Sequence, residues 1–358
     1  MKIFFLVSLF CWQLLATTQA QPYKVIAYCT GSAENIKQYP IEKLTHIIYS
    51  FLPLKHDTLT FANEQQRSNL MQLIELKKTY PLLKVMVSIG GWGGCAHCSA
   101  LFASPEHRNT FAQTTIELFK EYQIDGLDLD WEYPGIEGYP GHVYDSSDRS
   151  NFTELVKVLR TKMGNDYLLS FAAGGFDKFL ENSIDWGAVL SQVDFVNLMT
   201  YDLVGGYATV TGHHTLLNDY IPGQQSTSRC VKWLLAHKAK PEQLIIGTAF
   251  YARVWEQVAP INNGLYQPGK FKQGVDYKQF DNFFTDSAGF NYHWDKKAQA
   301  PFRYSPAQQL FATFDDERSL KAKAKFVRQK KLGGIMFWEL SCDKKTGGLL
   351  DAICRHLN

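Results

Sequence analysis

The chain has almost no net charge: 37 Lys and Arg stand against 35 Asp and Glu in 358 residues, a balance of +2. Proteins that hold nucleic acid through its phosphates need a surplus of cations, so nucleic acid is not expected as a partner. The Gly-rich phosphate loop of a doubly wound open sheet is missing, as are internal repeats and low-complexity linkers. Beyond residue 20 no run approaches the roughly 20 apolar residues needed to cross a bilayer. Charged residues are only 20%, whereas 45% are apolar and 14% aromatic, which excludes a disordered polyelectrolyte and supports a sizeable core.

The longest apolar run is at the start. Lys2 precedes a mostly apolar stretch from Ile3 to Ala16, and Thr18-Gln19-Ala20 offers small residues for cleavage. This pattern predicts a signal peptide over 1–20 and a secreted or periplasmic protein, with no membrane attachment after cleavage. Cysteines are few, and loss of Cys11 with the signal leaves six, an even number compatible with disulfides in an oxidising compartment. Cys95 and Cys98 form a C-x-x-C that lacks the second pair of a zinc site and the βαβ context of a redox motif, so a local disulfide bracing a loop is expected. The pairing of Cys29, Cys230, Cys342 and Cys354 is left open. His213 and His214 are adjacent, so they would point apart on a strand, and a polar loop is the expected reading. No metal site and no cofactor are expected.

Eight short runs rich in branched and aromatic residues read as strands: Lys24 to Cys29, Thr45 to Phe51, Lys84 to Gly90, Ile124 to Asp130, Tyr167 to Ala172, Val193 to Thr200, Leu244 to Tyr251 and Gly333 to Glu339. Amphipathic helices alternate with them, one after a possible Asp148 N-cap and one opened by Ser104-Pro105. Eight such units predict an α/β fold, a (β/α)8 barrel over 21–253 and 312–358. Between strands seven and eight, residues 254–311 hold 13 aromatics in 58 positions with many turn signals, predicting a small inserted subdomain whose aromatics wall the cleft.

Acids concentrate at the end of the fourth strand, in Asp125-Gly-Leu-Asp128-Leu-Asp130-Trp131-Glu132-Tyr133-Pro134. Strand side chains alternate, so Asp128, Asp130 and Glu132 face the barrel mouth while Leu127, Leu129 and Trp131 face the helices. Carboxylates crowded in a poorly solvated site cannot all ionise, which prepares one of them to act as a general acid. Asp125 has the wrong parity to join them and reads as structural.

The run DGLDLDWEYP resembles the DxxDxDxE signature of glycoside hydrolase family 18, the chitinase family. Ser88-Ile-Gly90-Gly91-Trp92 resembles its SxGG segment, Met199-Thr-Tyr201-Asp202 its MxYD segment, and Trp338 its tryptophan ending strand eight. The resemblance runs from about Tyr23 to Asp343 and places an α+β insertion after strand seven. It implies hydrolysis of β-1,4-linked N-acetylglucosamine with retention, the substrate's own acetamido group serving as nucleophile. Glu132 would be the acid and base, Asp130 would orient the acetamido N–H, Asp128 would share its proton, and Tyr201 would donate to the acetamido oxygen.

Substrate contacts implied by the same resemblance are Trp338 as the floor, Trp92, Asp202, Met199, Tyr251, Arg253 and Tyr28. The loop Tyr28-Cys-Thr-Gly-Ser lacks the Trp that many family members carry there. Nineteen residues follow Glu339, too few for an appended carbohydrate-binding module, so soluble oligosaccharides are as much expected as crystalline chitin. The partner expected is chitin or an N-acetylglucosamine oligosaccharide, met by a monomer. An endo-β-N-acetylglucosaminidase acting on N-glycans would share the motif, and a chitin-binding lectin would share the cleft but usually lose the acid.

Overall fold

The structure is a computed structural model that describes residues 23–357; the proposed signal peptide lies outside the described residues. Eight parallel strands close into a barrel in chain order: β1 (Lys24–Cys29), β2 (His46–Tyr49), β3 (Lys84–Gly90), β4 (Gly126–Asp130), β5 (Leu168–Gly174), β6 (Phe195–Met199), β7 (Leu244–Ala249) and β8 (Gly334–Trp338). The principal helices are α1 (Ala33–Ile36), α2 (Glu64–Thr79), α3 (Pro105–Tyr122), α4 (Asp148–Met163), α5 (Asp177–Asn182), α6 (Thr227–Ala236), α7 (Glu317–Lys330) and α8 (Leu349–Leu357). The (β/α)8 reading of the sequence is correct.

Period two sorts the strand residues into two layers. Leu127, Leu129 and Trp131 pack outward with the helices in the larger core. Inside the barrel, Ile26, Tyr28, Ile48, Met86, Phe195, Ile245 and Met336 fill a separate cluster. Ser104 caps α3 as expected, its hydroxyl accepting from His107 N, with Pro105 at the first helical position. Asp148 is not the cap of α4. It is the first helical residue, and its buried carboxylate accepts from Asp145 N at 2.8 Å, Gly135 N at 3.3 Å and Ser99 Oγ at 2.7 Å, tying the loop after β4 to the helix. Asp125 takes the structural role that its parity suggested, accepting from Val85 N and pairing with Lys77, both at 2.8 Å.

The seventh strand is shorter than its apolar run. At Phe250 the chain leaves the barrel, its N–H donating to Trp338 O and its carbonyl accepting from Tyr277 N, while its ring stacks on Phe337 at 4.1 Å. A new strand, Tyr251–Glu256, enters a five-stranded antiparallel sheet with Lys270–Asp276 on one side and Leu310–Thr313, Ala300–Ser305 and Asn291–Asp295 on the other. One face of this sheet buries Val254, Val275, Phe280, Phe284, Phe290 and Phe314. The other buries Trp255, Phe302, Tyr304 and Phe311 against Val204, Ala208 and Tyr266. The aromatic excess therefore builds two packed layers, and the expectation that it walls a cleft is wrong for most of these rings. A thin sheet has few residues per face, and large side chains let each layer exclude water.

Candidate active site

The acids of β4 are placed by their neighbours. Asp128 is fully buried and accepts four hydrogen bonds: Tyr28 Oη at 2.8 Å and Ser88 Oγ at 2.9 Å on one oxygen, Ser170 Oγ at 2.6 Å and Asn197 Nδ2 at 3.1 Å on the other. Ser88 and Ser170 stand opposite Asp128 on β3 and β5, so the cradle follows from strand register. Burial raises the Asp128 carboxyl above its ordinary value, and these four donors work against the rise.

Asp130 has no such cradle. Its Oδ1 is buried without a hydrogen-bond partner, and burial, with the Glu132 and Asp128 charges adding to it, pushes its carboxyl well above the usual range. Glu132 is partly open to solvent. Its surroundings push it up to about 7, burial being the main cause, a hydrogen bond from Tyr133 working against the rise and the Asp202 charge adding to it. The backbones here lie close together. Gly91 N donates to Asp130 O at 2.8 Å, and a Cβ on Gly90 would stand 2.0 Å from that oxygen, so the glycine of the SxGG segment is required by β4 itself.

Tyr201 follows β6, and burial, then the Asp130 and Glu132 charges, lifts its hydroxyl well above its ordinary value. It stays a neutral donor at any working pH. Asp202 sits at φ +54°, a left-handed conformation that Asp tolerates better than most residues. Arg253 holds it with a bidentate pair, Nε to Oδ1 at 2.7 Å and the second nitrogen to Oδ2 at 2.6 Å. Burial alone would raise Asp202, but hydrogen bonds from His214 and Arg253 hold it well below the usual carboxylate range. The Arg253 guanidinium also lies over the Tyr251 ring at 5.2 Å.

Trp338 ends β8 partly exposed, flanked by Phe51 at 5.7 Å and Tyr28 at 5.8 Å. Trp92 is 47% exposed and meets Tyr139 at 5.6 Å, Tyr207 at 6.3 Å and Tyr133 at 6.4 Å. Met199 lines the barrel interior with Tyr201 and Trp338. Tyr28 does not belong to the cleft surface: it is 1% exposed, and its hydroxyl is spent on Asp128. Cys95 and Cys98 form the expected disulfide, with Cα atoms 5.2 Å apart, in the loop that carries Trp92.

The structure also supplies what the sequence reading missed. Ser170 and Asn197 carry no motif, and their only signal is a polar residue at an inward position of an apolar strand. Tyr139 and Tyr207 lie in loops without periodicity. His213 and His214 are not in a solvated loop: both are buried, His213 Nε2 lying 3.2 Å from Asp295 and His214 Nδ1 3.4 Å from Asp202. Among the described residues no group of three His, Cys, Asp or Glu stands where it could hold a metal ion.

A parallel barrel whose mouth joins a partly open acid, an unpartnered buried acid and an aromatic floor defines a glycosidase-type site. The model of glycosyl hydrolases family 18 matches residues 24–343, and the chain belongs to that family. It is 31% identical over 301 residues to chitinase A1 of Niallia circulans, covering 77% of this chain and 43% of that protein. It is 28% identical to chitinase B of Serratia marcescens, over 90% of this chain and 78% of that one. Among solved structures, a family 18 N-acetylglucosaminidase from Paenibacillus barengoltzii superimposes with a TM-score of 0.84 at 33% identity, covering 94% of this chain and 100% of that chain.

Proposed function

We propose that the protein is an exported chitinase-type hydrolase that cleaves β-1,4-linked N-acetylglucosamine oligosaccharides with retention, using the substrate's acetamido group as nucleophile. The observation that carries this reading is Asp130: a buried carboxyl oxygen without a partner, between two other acids and near enough to the neutral Tyr201 hydroxyl for its charge to act on it. Such an oxygen suits an amide N–H supplied by the substrate.

The steps follow from the groups present. Glu132 donates its proton to the glycosidic oxygen as the bond from that oxygen to the anomeric carbon breaks. The acetamido carbonyl oxygen closes on the same carbon, giving an oxazolinium ion, with Asp130 accepting from its N–H and Tyr201 donating to its oxygen. Glu132, now a carboxylate, takes a proton from water as the water's oxygen opens the ring. Two displacements at one carbon retain the configuration. Asp128, held by four donors, is the fixed charge against which Asp130 keeps or shares its proton. Trp338 gives the apolar face of the reacting sugar a surface to lie on.

The acid form of Glu132 is the active one. Its carboxyl lies at about 7, so kcat/KM should be highest below that pH and fall with a slope of one proton as pH rises through it. The Asp202 charge helps to raise Glu132, and Asp202→Asn should move this alkaline limb to lower pH; a limb that stays put or moves up counts against the assignment. EDTA should leave the rate unchanged, and a loss restored by added metal would contradict the scheme.

A further inference from the structure

Exposed aromatic side chains are unevenly placed around the barrel mouth. Trp92, Tyr139, Tyr144 and Tyr207 are 47%, 39%, 47% and 71% exposed, and they stand in the loops after β3, β4 and β6. Among the described residues, the loops after β1, β2 and β8 expose no large apolar side chain to that degree. Those after β1 and β8 are polar and tied together: Thr30 N and Thr30 Oγ1 both donate to Glu339 at 2.8 Å, and Ser341 donates to the same carboxylate.

The chemistry says which side is which. The reacting sugar lies on Trp338, and Glu132 protonates the oxygen on its anomeric carbon. Sugars toward the reducing end therefore continue past Glu132 to Tyr133, whose ring is 6.4 Å from Trp92. Sugars toward the non-reducing end continue the other way, over the polar loops after β1 and β8 and past Phe51 of the loop after β2, which is only partly exposed and already stacked on Trp338. Aromatic faces grip pyranose rings through their apolar C–H surfaces, so the two directions differ in hold.

We propose that the site grips its substrate mainly on the reducing-end side of the bond it breaks, and so works from the non-reducing end of N-acetylglucosamine oligosaccharides, releasing mono- or disaccharide. This rests on the hydrolase reading above. The register that fills the side with the exposed aromatics leaves the fewest sugars on the other side, and it is the register most often populated. Tyr139 and Tyr207 then set specificity together with Trp92.

The test is the first product from a chitin pentasaccharide that carries a fluorescent tag at its reducing end. The expected pair is an untagged mono- or disaccharide and a tagged tetra- or trisaccharide. In the double variant Tyr139→Ala, Tyr207→Ala, KM should rise about tenfold and the products should shift toward internal cleavage. A tagged mono- or disaccharide as first product from the wild type, or a double variant with unchanged KM and products, overturns the inference while leaving the hydrolase reading intact. Absence of any cleavage overturns both.

Discussion

Glu132→Gln should lower turnover of a chitin tetrasaccharide by about a hundredfold to ten-thousandfold, the range that a positioned general acid contributes. The amide keeps the shape of the side chain, but its N–H protons are far too weakly acidic to be transferred to the leaving oxygen. Binding should survive, because the Trp338 floor, the Trp92 cluster and Tyr201 are untouched, and calorimetry should return an affinity within a few-fold of the wild type. This pairing separates the proposed enzyme from a lectin that happens to retain the acid. A variant that turns over like the wild type would remove Glu132 from the mechanism.

Lys323→Met should cost about 3–5 kcal/mol of stability, the usual result of leaving one member of a buried ion pair alone. Lys323 on α7 is fully buried, and its ammonium donates to Asp315 Oδ2 and Thr215 Oγ1, both at 2.7 Å. Asp315 also accepts from Ser319 Oγ at 2.7 Å, from Thr215 Oγ1 at 2.8 Å and from Ala249 N at 3.2 Å. The cluster thus fastens the end of β7, the loop after β6 and the return of the inserted sheet at one point. Burial lowers the Lys323 ammonium, and Asp315 opposes that fall. Chemical denaturation should show the loss. Lys321→Met, an exposed change on the same helix, should stay within about 0.5 kcal/mol. Equal stability of the two variants would mean that the buried pair contributes nothing.

Much of the fold was legible because strands buried on both faces announce themselves as unbroken apolar runs. β1 and β3 occupy the residues read from sequence, and period two placed Asp128, Asp130 and Glu132 inside the mouth with Trp131 behind them. Other features depend on contacts remote in sequence. Nothing local says that Phe250 leaves the barrel, since Tyr251 and Val254 continue the same apolar pattern into a different sheet. Tyr28 and Asn197 meet Asp128 from strands 100 and 69 residues away, so Tyr28 reads locally as cleft surface and Asn197 carries no local signal, although both are buried supports of Asp128. Lys323 lies in a strongly basic helix, where a lysine ordinarily reads as solvated, and only Asp315 explains its burial. The spacing of the two histidines carries no sign of their burial, because their carboxylate partners lie 82 and 12 residues away.

The central claim is that the substrate supplies its own nucleophile. Its most direct test is to compare turnover of chitin tetrasaccharide with turnover of the fully de-N-acetylated tetramer at saturating concentrations. The acetamido carbonyl is absent from the second substrate, and no enzymic group stands in for it in the proposed scheme. Hydrolysis of the acetylated tetramer alone is the predicted result. Comparable turnover of both would contradict it, because a carboxylate of the protein would then have to be the nucleophile.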